Sequence, residues 1–314
     1  MFGGCRTYYN MTEILEEDQT APASALRKAK ECSVRSRAIY AVKIAFILLL
    51  LILIYYPIFV WMWQRWFATD SYYSHGPLIP VVSIALIWLR RQKLANASVT
   101  SSKLGLGLLV AGLILHIASA SARVYFSSAY SFLIVLLGLI LYSFGREVTR
   151  VIFFPLCFLI FMIPAPMAVV SASALKMKLF TAHISVSIIQ LFGTPAVREG
   201  SMVHMPNTST VVGDPCSGLR SLISLTALGV LYAYIVKASY PRKAVLLLSS
   251  IPIAVIANMI RTVAVLLIAN SYGNEIITDG VLHKGFGLMV FVIAFAGLFL
   301  AGRLLGCRIP QKDT

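Results

Sequence analysis

An all-α, polytopic transmembrane helix bundle of about eight spans, with both termini in the cytoplasm, is the fold class the sequence predicts, and three observations carry it. Mean hydropathy is +0.83. Apolar residues make up 59% of the 314-residue chain and charged ones only 12%, where a soluble domain carries roughly 25% charged residues. Several apolar runs reach the length of about 20 residues that a helix needs to cross a hydrocarbon core. These runs are continuous, whereas the strands of a membrane barrel alternate at every second residue. No stretch suggests a second, soluble domain.

The formal charge of +15 does not point to nucleic acid, because the basic residues form no single tract or face. They punctuate the ends of apolar runs, as cytoplasmic loops do under the positive-inside rule. Residues 1–40 hold an acidic patch (Glu13, Glu16, Glu17, Asp18) and then a basic one (Arg27, Lys28, Lys30, Arg35, Arg37). This order is unlike a signal peptide, which opens basic and ends at small residues. It reads as a cytoplasmic tail, largely disordered, ahead of a transmembrane domain over 41–305 and a short cytoplasmic tail over 306–314.

The first span is expected over residues 41–61, followed by a short outer loop with Tyr72, Tyr73, Ser74, His75 and Gly76. Span two runs from Pro77 to Arg90, span three over 104–120, and span four over 125–144, ending at Arg146 and Arg150. Span five covers 151–163 and stops where Pro164 and Pro166 disrupt a helix. Residues 173–192, with Lys176, Lys178 and His183, read as an amphipathic helix at the outer surface. A polar loop is expected over 193–215, span six over 216–236, span seven over 244–269, an outer loop over 270–284 and span eight over 285–305. With these spans about 19 of the 27 Lys and Arg residues fall on the inner side, the asymmetry that sets orientation.

Orientation places the chemistry. Of five cysteines, Cys5, Cys32 and Cys307 are expected inside and Cys157 within the membrane. Cys216 alone faces out, so it lacks a partner for a disulfide within the chain. Asp214 suits an N-cap and Pro215 a first helical position, which puts Cys216 in the first turn of span six. Unpaired backbone N–H groups and the helix dipole there favour a thiolate, and the same N–H groups suit an oxyanion. Arg220, one turn on, adds positive charge, which Asp214 tempers. As a bland alternative, Cys216 is a small apolar residue filling a helix-packing gap.

Arg261 interrupts the apolar run of span seven. A charge inside the membrane costs at least about 2.5–3.5 kcal/mol at mid-span, so such a residue usually faces an interior cavity and marks function. It lies in the outer half, about 26 Å from the inner end at 1.5 Å per residue. Asn258, three residues earlier, shares its face. His283 precedes span eight, and a neutral histidine can take a proton from a thiol and return it to a leaving amine. Cys216 and His283 at one membrane face match the composition of a Cys–His nucleophilic site. Of the other histidines, His116 reads as a satisfied packing residue, His183 and His204 lie in surface segments, and His75 is placed to line the site. No histidine pair has metal-ligand spacing and carboxylates are sparse, so neither a metal nor another cofactor is expected.

Taken together, Cys216-Ser217-Gly218-Leu219-Arg220-Ser221, Asn258-Met259-Ile260-Arg261, His283 before a glycine-containing last span, and the early loop Tyr73-Ser74-His75-Gly76-Pro77 resemble the exosortases and their archaeal relatives, the archaeosortases. The resemblance covers residues from about 40 to 305. It implies a cysteine transpeptidase of the bacterial inner membrane with its site at the periplasmic face. Its partners would be exported proteins that end in a sorting motif such as Pro-Glu-Pro, a transmembrane helix and a basic tail, together with an acceptor. Cys216 would match the nucleophile, Arg261 the essential arginine and His283 the general base; histidine at the last position fits exosortases better than archaeosortases. Arg220, Asn258, Ser217 and His75 are supporting candidates. The competing expectation is a transporter or a lipid or polysaccharide exporter whose Arg261 and His283 bind an anion. Such a protein should tolerate serine at position 216. A rhomboid-type serine protease is disfavoured for want of a suitable serine motif.

Overall fold

The computed structural model describes the backbone of residues 23–213, 217–273 and 280–307, with side chains at 42–43, 45–213, 217–273 and 285–307. Helices dominate: α1 (Ala23–Trp66), α2 (Leu78–Leu89), α3 (Arg91–Ala95), α4 (Lys103–Ser121), α5 (Tyr125–Phe158), α6 (Met167–Leu191), α7 (Leu219–Ile235), α8 (Tyr240–Tyr272) and α9 (Gly280–Leu304). Among the described residues five helical stretches are long and apolar enough to cross a membrane: Ala45–Trp66, Lys103–Ser121, Tyr125–Met162, Tyr240–Tyr272 and Gly285–Leu304. Two more, α2 and α7, are apolar but shorter. The chain is thus a multi-pass membrane protein, with five spans qualifying by length where the sequence suggested about eight.

Four expectations need correction. The chain is not wholly α: the stretch expected as a polar loop holds a three-stranded antiparallel sheet, β1 (Val197–Glu199), β2 (Met202–Met205) and β3 (Thr208–Val211), in the order β1-β2-β3. Val203 lies at 0% exposure and Met205 at 8%, so alternate residues of β2 plug the unit below, a period-2 signal too short to stand out. Helix α1 begins at Ala23, inside the segment expected to be disordered, where Ala, Leu, Arg, Lys and Glu all favour helix. His283 lies within α9 rather than ahead of the last helix. Finally, α7 begins at Leu219, capped by Gly218 at φ 78°, four residues later than the Asp214–Pro215 start. A left-handed glycine cannot be an interior helical position.

The chain divides into two compact units, residues 1–64 with 80–163 and residues 65–79 with 164–314. In the first, α4 and α5 form an antiparallel pair in which glycines let the backbones touch: a Cβ on Gly138 would strike the Leu109 backbone, and one on Gly105 that of Tyr142. Small residues serve helix pairs in lipid this way. Polar groups inside this unit find partners, Tyr55 Oη of α1 with Ser131 Oγ of α5 at 3.0 Å and His116 Nδ1 of α4 with Ser128 Oγ of α5 at 2.6 Å. His116 is therefore the packing histidine expected. Helix α5 bends at Gly145, whose φ of 83° and ψ of −172° belong to a region open essentially to glycine alone. The expected break between spans four and five falls at this bend.

In the second unit, α8 is the central element, packed against α6, α7, α9 and β3. Leu225 of α7, Ala254 and Ala257 of α8, and Val290 and Ala294 of α9 make one core cluster. Ala182, Val186 and Ile189 of α6 meet Val203 and Met205 of the sheet and Val263 and Leu266 of α8 in another. A third joins Val170, Ala174 and Leu219 with Tyr72 and Tyr73 of the 65–79 segment. The expected outer-surface helix over 173–192 is the later part of α6, which starts at Met167 directly after its N-cap Pro166.

Candidate functional site

Every candidate site residue drawn from the sequence belongs by number to the second unit. Asp214, Pro215 and Cys216 lie outside the described residues, as does the side chain of His283. What is described is the turn that follows the cysteine and the elements packed on it.

Ser217 is fully buried, and its Oγ accepts a 3.4 Å hydrogen bond from the Leu219 amide. Gly218 then takes its left-handed conformation and hands its carbonyl to the Leu222 amide at 2.9 Å, which opens α7. The same carbonyl accepts a 2.8 Å bond from Ser221 Oγ. A second constraint holds Gly218 as glycine: an added Cβ would lie 2.7 Å from Cγ and Nδ2 of Asn258. The first turn of α7 therefore rests directly on the middle of α8.

That contact brings in the buried polar stripe of α8. Asn258 is 2% exposed, Arg261 6% and Thr262 1%. Thr262 Oγ1 donates to the Asn258 carbonyl at 3.0 Å, as hydroxyls inside helices do. Arg261 lies three residues beyond Asn258, about 4.5 Å further along the axis. A guanidinium enclosed to this degree is expensive to desolvate, and it stands one turn from the residue that touches Gly218. Arg261 and Asn258 thus share one buried face, as their spacing predicted.

The 65–79 segment supplies the remaining contacts. His75 Nδ1 lies 3.0 Å from Ser224 Oγ on α7, and its ring stacks near Tyr73 at a centroid distance of 6.0 Å. Tyr73 Oη accepts from the Ala165 amide at 3.1 Å, tying the loop to the start of α6. Arg220 Nη2 reaches Asp70 Oδ1 at 3.5 Å, with side-chain exposures of 33% and 55%. Half-exposed pairs of this kind contribute about 0–1 kcal/mol. Asp70 itself holds a φ of 58°, a left-handed setting that aspartate tolerates better than most residues.

The structure seats Gly218, beside buried Ser217, on Asn258, one turn from Arg261, and on another side of α7 it pairs Arg220 with Asp70 and Ser224 with His75. Asp70, Tyr73 and Ser224 belong to the contacts of the 65–79 segment and were not anticipated as site residues. Asp70 had one legible signal, an acidic residue in an outer loop of a strongly basic chain. Ser224 had none beyond standing one turn after Arg220. His183 is exposed on α6, and His204 bonds Ser209 Oγ at 2.9 Å within the hairpin, so neither takes part in these contacts. Among the described residues no group of three His, Cys, Asp or Glu side chains could hold a metal ion.

Compared with known proteins, the chain matches the family model described as Transmembrane exosortase (Exosortase_EpsH) over residues 63–300. The matched segment starts just ahead of the Asp70–His75 loop and ends within α9. Neither the curated proteins nor the solved structures yielded a match.

Proposed function

Because the chain belongs to the transmembrane exosortase family, we propose that it is a membrane-embedded cysteine transpeptidase acting on the C-terminal sorting signals of exported proteins. The observation that carries this reading is the seating of Gly218 on Asn258, which sets the turn after Cys216 against the helix that holds a buried arginine. On this reading the Cys216 thiol, two residues before the cap in sequence, would draw on the amides at the head of α7 and on Arg261. Both favour the thiolate.

In the reaction, the Cys216 thiolate attacks the scissile carbonyl carbon of a substrate whose tail helix lies in the bilayer. The C–O π electrons move onto oxygen, and Arg261 with the amides at the head of α7 steadies that charge. Collapse breaks the C–N bond, and His283 delivers the former thiol proton to the departing amine. An acceptor nucleophile, or water, then attacks the thioester and restores the thiol. The site is assigned to the outer face of a bacterial inner membrane, where exported substrates arrive.

The test is Cys216→Ala, co-expressed with a reporter ending in a Pro-Glu-Pro motif, an apolar helix and a basic tail. Tail removal should fall by on the order of 10³-fold or more, while reporter and enzyme remain in the membrane. Unchanged processing, or full activity with serine in place of Cys216, would discard the thiol as nucleophile and with it the peptidase reading.

A further inference from the structure

Among the described residues the guanidinium of Arg220 is held by less than it can bind. Of its five N–H donors, Asp70 Oδ1 engages Nη2 alone at 3.5 Å, a long contact for a charge-assisted hydrogen bond. Its Nε is buried and has no acceptor among the described residues. Asp70 is the more exposed partner, at 55% of its side chain against 33% for Arg220. A carboxylate that is mostly in water, touching a half-sheltered guanidinium through one oxygen, is easily exchanged for another carboxylate. The guanidinium fork matches a carboxylate through two parallel bonds, and Asp70 supplies only one.

Position makes this exchange matter. Arg220 is the second residue of α7, two places after the Gly218 cap and four after Cys216. The loop that carries Asp70 is fastened separately, by His75 to Ser224 and by Tyr73 to the Ala165 amide. Asp70 can therefore leave the guanidinium without detaching the loop.

We propose that Arg220 is the subsite for an acidic side chain of the substrate, and that Asp70 occupies it while no substrate is bound. This rests on the reading of the chain as a sorting-signal peptidase, and it adds the residue that selects the substrate. The incoming carboxylate takes the place of Asp70 and uses the fork more fully. Arg220 is here a specificity residue; it does not touch the reacting atoms.

The experiment uses full-length chain carrying Cys216→Ala, purified with reporters whose motif is Pro-Glu-Pro, Pro-Gln-Pro or Pro-Lys-Pro. Reporter retention is read by co-purification, so no chemistry is required. The Glu reporter should be retained at least about tenfold better than the Gln reporter, the scale of one charge-assisted contact. Asp70→Asn should strengthen Glu retention about threefold, as expected for removing a weak competing ion pair. Arg220→Glu should invert the preference towards Lys. Equal retention of Glu and Gln, or weaker Glu retention in Asp70→Asn, overturns the proposal and leaves the peptidase reading standing. Selective Glu retention together with unprocessed reporter in the intact enzyme does the reverse. Inversion of preference by Arg220→Glu also excludes simple misfolding, since an unfolded chain has no preference to invert.

Discussion

Gly218 carries two independent demands, a positive φ and Asn258 atoms 2.7 Å from where a Cβ would sit, and both disfavour a side chain. Gly218→Ala should lower stability by about 1–3 kcal/mol, the cost of a strained left-handed residue, before the clash is counted. Thermal unfolding in detergent should show the drop, and reporter processing should fall with it. A variant as stable and as active as the parent would mean that the head of α7 does not rest on α8. At this scale the sequence was informative about identity and poor about contact. Arg261 and Asn258 were legible because a cation and an amide inside an apolar run have few bland explanations. Asp70 and Ser224 were not, since an exposed aspartate and a helical serine are ordinary residues until the partner 150 or 149 positions away is seen.

Helix α5 with its 3-10 extension spans 38 residues from Tyr125 to Met162, a rise of about 57 Å if straight against a core of about 30 Å. It has to bend, and Gly145 is where it does. A Cβ there would run into the Thr100 carbonyl, in a backbone region that alanine avoids. Gly145→Ala should therefore lower the melting temperature by several degrees, whereas Gly107→Ala, on α4 with open space around it, should be neutral or stabilising by up to about 1 kcal/mol. Equal melting temperatures for the two variants would contradict the bend. The break was legible in advance from Arg146 and Arg150, which no span accommodates easily. The sheet was not: strands of three and four residues are too short for alternation to rise above chance, and Asp214 with Pro215 looked so much like a helix start that Gly218 was passed over as the cap.

For the whole molecule, membrane character was evident from composition alone, because 12% charged residues cannot cover a soluble surface of this size. The division into two units was not evident, since apolar runs reveal where helices are and not which of them share a core. Orientation can be read directly. Alkaline phosphatase, which is active only outside, should be active when inserted between Pro206 and Asn207 of the hairpin and inactive when fused after Thr314. The opposite pattern would turn the protein over and move Cys216 to the cytoplasm. The 17 residues of α7 rise about 26 Å, a few ångströms short of an average bilayer. Lipid beside a helix of that length must compress or tilt to meet it, drawing the headgroup layer down toward the helix head. If the protein cuts sorting signals as proposed, such a dimple would let a peptide bond meet water and nucleophile while the segment behind it is still dissolved in acyl chains.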